Sequence, residues 1–325
     1  MIRLLISRLL QIPLALLAVY TITLILAWAV PGNPLEGPEG RRPPPEVVAA
    51  MQARYRLDSF GGFYLSYLAD ASGFTAATRP AQPASTGVTQ PFFDLGPSLQ
   101  YPDRTVNEII ASALPVSMLI GLAAVAFGLT LGIVAGTLGA LRPGSFLDAG
   151  TFIVALAGIS IPTFVTGTLL QWVFTVQWGL FPVAEWGHPR DLVLPAFTLG
   201  LPTAAYIARL VRIGMIEQLA SDHVRTARAK GLSEFQVITR HALRNALLPV
   251  ISFLGPALAM AMTGSFVVER LFVVPGLGQH FVNAVQNKDL FLIIGVVLVY
   301  ATLLMLMNLV VDLLYRWADP RITAS

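Results

Sequence analysis

Cysteine is absent from the 325 residues and charge is scarce. The first absence excludes disulfide frameworks, thiolate metal sites and cysteine nucleophiles together. Charged residues make up 12% of the chain, against about 25% in soluble globular domains, too few to coat a water-facing surface. No Gly-Lys pair occurs, so there is no phosphate-binding loop of the G-x-x-x-x-G-K-[ST] type. H-E-x-x-H and G-x-S-x-G are missing as well. His188, His223, His241 and His280 are scattered without metal-ligand spacing. No polybasic tail or aromatic-basic alternation points to nucleic acid. Neither a catalytic residue, nor a cofactor, nor a metal is expected.

What remains is apolar. Hydrophobic residues reach 55% and mean hydropathy is +0.69. A bilayer core about 30 Å thick takes roughly 20 apolar helical residues. Six charge-free runs meet that length: Arg8 to Glu36, Glu108 to Arg142, Asp148 to Glu185, Asp191 to Arg209, Arg244 to Glu269, and Asp289 to Asp312. The expected fold is therefore an all-α, polytopic bundle of six transmembrane helices. The fourth run is the shortest and extends past Arg209 if that side chain snorkels to the headgroups. Leu271 to Asn287 is charge-free too, but carries Pro275, Gly276, Gly278, Gln279, His280, Asn283 and Asn287. Unpaired polar groups are costly in hydrocarbon, so this stretch is expected as an external turn at the interface. Glu269 and Asp312, at span ends, read as interfacial anchors.

Basic residues orient the bundle. With the N-terminus inside, short cytoplasmic pieces hold Arg3, Arg8, Arg142, Arg209, Arg212, Arg225, Arg228, Lys230, Arg240, Arg244, Arg316 and Arg321, whereas short external loops hold Arg190, Arg270 and Lys288. Both termini are therefore expected in the cytoplasm. Ala27-Trp28-Ala29 imitates a signal-cleavage site, but the preceding apolar run is longer than a usual signal core, and its removal would leave an odd number of spans.

The expected organisation is an N-terminal transmembrane helix over 1–31, an external region over 32–107, a transmembrane core over 108–316 and a cytoplasmic tail over 317–325. In the external region, Val47, Val48, Met51 and Tyr55 have helical spacing, and the Ala, Thr, Pro and Ser-rich stretch 74–93 reads as a flexible insertion. Asp94 to Ser98 reads as a structured turn, with a helix starting at Thr105. A plain loop and a docking surface for an external partner both fit this length. Gly128, Gly132 and Gly136, four apart, predict close helix packing.

The cytoplasmic loop 217–244 carries the most information. Ser221 is a candidate N-cap for a helix through Lys230, Gly231 suits the left-handed position that ends it, and Ser233 to Gln236 forms a capping box. Ala220, Val224, Ala227 and Gly231 make a smooth stripe flanked by Arg225, Arg228 and Lys230. Such a helix fits a groove on a partner protein; it equally fits a loop whose positive charge only sets topology.

Ser221 through Pro249, SDHVRTARAKGLSEFQVITRHALRNALLP, closely resembles the cytoplasmic loop of ABC-importer permeases, specifically the B-type peptide permeases. Arg225-Thr226-Ala227 occupies the E-A-A positions of the family's motif and Gly231 its glycine. Arg225 replaces the acidic residue and Leu243-Arg244 stands where the general family has Leu-Pro, both usual in the peptide branch. Pro31-Gly32-Asn33-Pro34, Arg54 to Asp58, Asp94 to Ser98, Pro275 to Gly278, Asn308 to Asp312 and Asp319-Pro320-Arg321 extend the resemblance over nearly the whole chain. The resemblance implies a type-1 importer permease in a bacterial inner membrane. It implies a C-type permease partner, two cytoplasmic ATPase subunits, an external substrate-binding protein and short peptides as cargo. It further implies an ATPase-coupling site at Arg225, Thr226, Ala227, Arg228, Lys230 and Gly231. Nickel or another small solute is the alternative cargo. An ATP-independent channel or carrier is the more distant alternative, and it would need the buried charge or selectivity ring that the spans lack.

Overall fold

The computed structural model describes residues 2–29, 46, 49, 52–53, 56–57, 59–78, 91–101, 103–183 and 185–318, with side chains from Leu10 to Leu313. The readings on Val47, Val48, Met51 and Tyr55, on 31–34, on most of 54–58 and 79–90, and on 319–321 lie outside them. Among the described residues the regular structure is helical, with one isolated antiparallel bridge between Pro97 and Thr105. The chain divides into two compact units, Met1–Leu114 with Gln279–Thr302 and Pro115–Gly278 with Leu303–Ser325.

In the first unit, α1 (Ile2–Ala29), α2 (Phe60–Ala71) and α3 (Phe74–Thr78) precede α4 (Val106–Leu141). The stretch expected as a flexible insertion from Phe74 thus begins with a helical turn. Aromatic rings form the core of this unit: Tyr20 stacks on Tyr67 at 5.7 Å, and Phe63 meets Phe291 edge-on at 5.4 Å. The turn from Asp94 to Ser98 is ordered as expected. Leu95 N donates to Asn107 Oδ1 at 2.9 Å, and Asp289 Oδ2 accepts from Ser98 Oγ at 2.6 Å and from the backbone of Leu99 and Gln100 at 2.9 and 3.0 Å. Thr105 opens α4 through a reciprocal pair with Glu108 at 3.0 and 3.2 Å, which satisfies two amide donors at the helix start.

The second unit packs the rest of α4 against later helices. α5 (Phe146–Ser160) and α6 (Thr163–Gln177) meet at an angle of 108°, so the third apolar run is not one straight span. Pro162 lacks an amide donor and forces Ile161 out of the helical region, to φ −80° and ψ 125°. α7 (Val193–Leu219) runs past Arg209, as the short fourth run required. Gly128 and Gly132 of α4 lie where a β-carbon would meet Gly200 O at 2.9 Å and Ile207 Cβ at 2.7 Å. The four-residue glycine spacing therefore serves close approach of α4 and α7.

After the loop that holds α8 (Asp222–Ala229), α9 (Glu234–Ala246) bends by 55° into α10 (Leu248–Met262). The stretch read as an external turn is more ordered than expected. It follows α11 (Phe266–Leu271), contains α12 (Leu277–Gln286) and leads to α13 (Leu290–Ala318). Glu269 is not an interfacial anchor: only 1% of it is exposed, and Ser117 Oγ of α4 donates to its Oε1 at 2.8 Å. Among the described residues four helices are long and apolar enough to cross a membrane, and the two bent pairs raise the number to as many as six.

Candidate coupling site

The loop between α7 and α10 folds as a compact hairpin of α8 and α9. Ser221 takes the extended N-cap backbone that the sequence predicts, φ −77° and ψ 156°, but its hydroxyl caps nothing. It donates instead to Gln218 O and pairs with His223 Nδ1 at 2.9 Å. α8 ends as expected. Gly231 has φ +79°, its amide donates to Arg228 O at 2.9 Å, and Leu232 N reaches Ala227 O at 3.4 Å. These two bonds close the left-handed helix end that glycine permits. Ser233 then opens α9 with the predicted capping box, exchanging bonds with Gln236 at 3.4 and 3.3 Å.

The small-residue stripe divides, with Ala220 and Gly231 exposed and its two middle residues turned inward. Val224 and Ala227 are buried in one core cluster with Ile207 and Met215 of α7 and Val237 and Ala242 of α9. Small side chains let α8 lie close on its own chain, and burying Val224 contributes roughly 1.5–3 kcal/mol. Ala227 is therefore buried, whereas the other five predicted site residues are exposed.

The opposite face is open. Arg225, Thr226, Arg228, Lys230 and Gly231 are all exposed, and a β-carbon at Gly231 would meet nothing within 4 Å. Arg228 bridges α8 to α9 through Glu234, Nε to Oε1 at 2.8 Å and the second nitrogen to Oε2 at 3.3 Å. That hydrogen-bonded carboxylate raises the Arg228 guanidinium above its ordinary value. Arg225 meets Asp222 at 3.4 Å, with both side chains strongly exposed, a contact worth about 0–1 kcal/mol.

Sequence reasoning missed Phe235, which stands 76% exposed beside this face. Its only signal was an aromatic residue inside an otherwise polar capping box. Together these groups form a small cationic surface with one apolar knob, fixed at the hinge by the Gly231 turn. Large aromatic side chains flanked by arginine are typical anchors of protein interfaces.

Residues 128–324 match the family described as binding-protein-dependent transport system inner membrane component. The chain is 39% identical over 323 residues to the dipeptide transport system permease protein DppB of Bacillus subtilis, covering 99% of this chain and 98% of that protein. It is 38% identical over 324 residues to the oligopeptide transport system permease protein OppB of Haemophilus influenzae, covering 99% of each. In fold it is similar to a chain of the MetNI methionine ABC transporter in an inward-facing conformation, with a TM-score of 0.53 and 19% identity over 66% of this chain and 97% of that one. The relatives at this identity are permease proteins matched from end to end, and the chain belongs to the family of binding-protein-dependent transport system inner membrane components.

Proposed function

We propose that the chain is one of two permease subunits of an ATP-driven importer of short peptides. It forms half of the pathway with a C-type permease. Two cytoplasmic ATPases drive it through Arg225, Thr226, Arg228, Lys230, Gly231 and Phe235, and an external binding protein delivers cargo to the 32–107 region. Both termini then lie in the cytoplasm. The observation that carries the coupling reading is the outward face of α8, cationic, exposed and ended by Gly231 at φ +79°. The peptide cargo follows from end-to-end similarity to dipeptide and oligopeptide permeases. ATP binding closes the ATPase pair, the docked hairpin moves with it, and the spans tilt as rigid bodies.

Because the chain has no native cysteine, single-cysteine variants test this directly. Cysteine at Lys230 or Phe235 is expected to cross-link to the ATPase subunit in the assembled importer. Cysteine at Ser85 is expected to react with a membrane-impermeant maleimide in cells with a permeabilised outer membrane, and cysteine at Lys230 is not. The reverse labelling would overturn the orientation, and absence of any cross-link from either position would overturn the docking face.

A further inference from the structure

Within the second unit an open groove of about 330 Å³ runs between α4, α5 and α7. Its walls are apolar: Gly136 of α4, Phe152, Leu156 and Ile159 of α5, and Ile213 of α7. Two guanidinium groups, Arg209 and Arg212, close one end. They are three residues apart and so share a face of α7. Arg212 is fixed by Asp148, its second nitrogen donating to Oδ2 at 2.8 Å. Asp148 is itself held by Gly144 N at 2.8 Å. Arg209 is different. It is exposed, and among the described residues no carboxylate or hydrogen-bond acceptor meets it.

Depth identifies what such a guanidinium meets. About 20 helical residues cross the hydrocarbon, and counted from Asp191 that distance ends near Arg209 and Arg212. A bare guanidinium there lies at the level of lipid phosphates, and the groove leads from it into the apolar layer. Basic pockets between spans on the cytoplasmic side are suited to anionic headgroups. We infer that this groove holds an anionic phospholipid of the cytoplasmic leaflet, its phosphate on Arg209 and one acyl chain along Phe152, Leu156 and Ile159. Arg212 is neutralised by Asp148, so Arg209 carries the net positive charge of the groove. Planar guanidinium matches phosphate oxygens in a paired geometry that an ammonium cannot. The leaflet assignment rests on the orientation proposed above.

The test uses the complete importer, delipidated in detergent and titrated with phosphatidylglycerol or with phosphatidylcholine of the same chains, bound lipid being counted by native mass spectrometry. The wild type is expected to retain phosphatidylglycerol in preference. Arg209→Gln is expected to reduce that retention by about five- to tenfold, the order that one surface cation contributes, with phosphatidylcholine unchanged. Ala155→Trp, which fills the groove and leaves both arginines, is expected to cause a similar loss. Equal retention by Arg209→Gln and wild type would overturn the inference. So would full retention by Ala155→Trp, equal competition by chainless glycerophosphoglycerol, or displacement of the lipid by a dipeptide. A wild-type complex without preference would show that the companion permease covers this face. Co-purification of the ATPases in the same preparation reports on the coupling reading separately.

Discussion

Ser117 Oγ donates to Glu269 Oε1 at 2.8 Å, and the same oxygen accepts from Leu277 N at 2.8 Å. One hydroxyl thus ties the buried carboxylate of α11 and the first amide of α12 to α4. Gly276 and Gly278 close over the carboxylate, and a β-carbon at Gly276 would fall within 2.6 Å of both its oxygens. Ser117→Ala leaves an amide donor and a carboxylate oxygen without this partner in a buried site, which costs about 1–3 kcal/mol. Gly276→Ala is expected to destabilise at least as much, because the carboxylate must move. Thermal unfolding of the purified protein checks both, and a Ser117→Ala variant as stable as the wild type would show that the relay carries no weight.

What was legible in the sequence follows the range of the interaction. Gly231 and the Ser233 to Gln236 capping box were readable because both are local, a backbone sign and a four-residue exchange. Glycines at 128, 132 and 136 announced a close helix contact without naming its partner. The burial of Glu269 was not readable, since its partner Ser117 lies 152 residues away, and at a span end the same charge reads as an anchor. The direction of the Val224 and Ala227 stripe escaped for a related reason. A small-residue face fits either another protein or its own chain, and the choice depends on α9 folding back over it. Pro162 was visible as a proline in an apolar run, but a 108° bend and a gentle kink look alike in sequence.

Gly231 offers a test of coupling in which no packing is disturbed. Its surroundings are open, so the effect of a side chain comes from the backbone at φ +79° alone. Left-handed backbone costs a β-branched residue on the order of 1–2 kcal/mol, while asparagine tolerates it. Gly231→Val is expected to remain in the membrane yet lower coupled transport by about tenfold, the ratio set by ~1.4 kcal/mol. Gly231→Asn should keep most of it. Transport and ATP hydrolysis measured together in proteoliposomes separate uncoupling from loss of assembly.

His280 gives the first unit a pH response. It lies on α12, against the Tyr101 ring at 5.6 Å, and its Nδ1 is buried with no hydrogen-bond partner among the described residues. Burial, reinforced by the Arg104 charge, holds the imidazole below its ordinary value. A depressed histidine stabilises the fold above the unfolded value of about 6.5 and loses that contribution as pH falls through the folded value. Acidification from about pH 7.5 to about pH 5 is therefore expected to lower the melting temperature of the wild type more than that of His280→Gln. Parallel curves for the two would remove His280 from the response.

The last expectation concerns how firmly the spans hold cargo. The polar groups that apolar spans could offer a peptide include Ser160, Thr163, Thr166, Gln171, Ser252, Thr263 and Ser265. Several of them are already engaged. Gln171 Nε2 donates to Val183 O at 2.7 Å, Thr263 Oγ1 donates to Met260 O at 2.9 Å, and Ser265 Oγ accepts from Val268 N at 3.4 Å. The charged groups that the fold gathers within the second unit are committed differently, with Glu269 enclosed by α4 and α12 and Arg212 bound to Asp148. Away from Arg209, which lies at the cytoplasmic end of its helix in the orientation proposed above, a peptide's charged ends thus find hydroxyls and amides rather than opposite charges, which favours passage over capture. The permease pair without its binding protein is expected to bind peptides no tighter than about 1 mM, roughly −4 kcal/mol. Calorimetry on the purified membrane complex measures this. A micromolar, sequence-selective site in that preparation would place selection in the spans, whereas millimolar binding that sharpens only when the external protein is added would assign it to the docking partner of the 32–107 region.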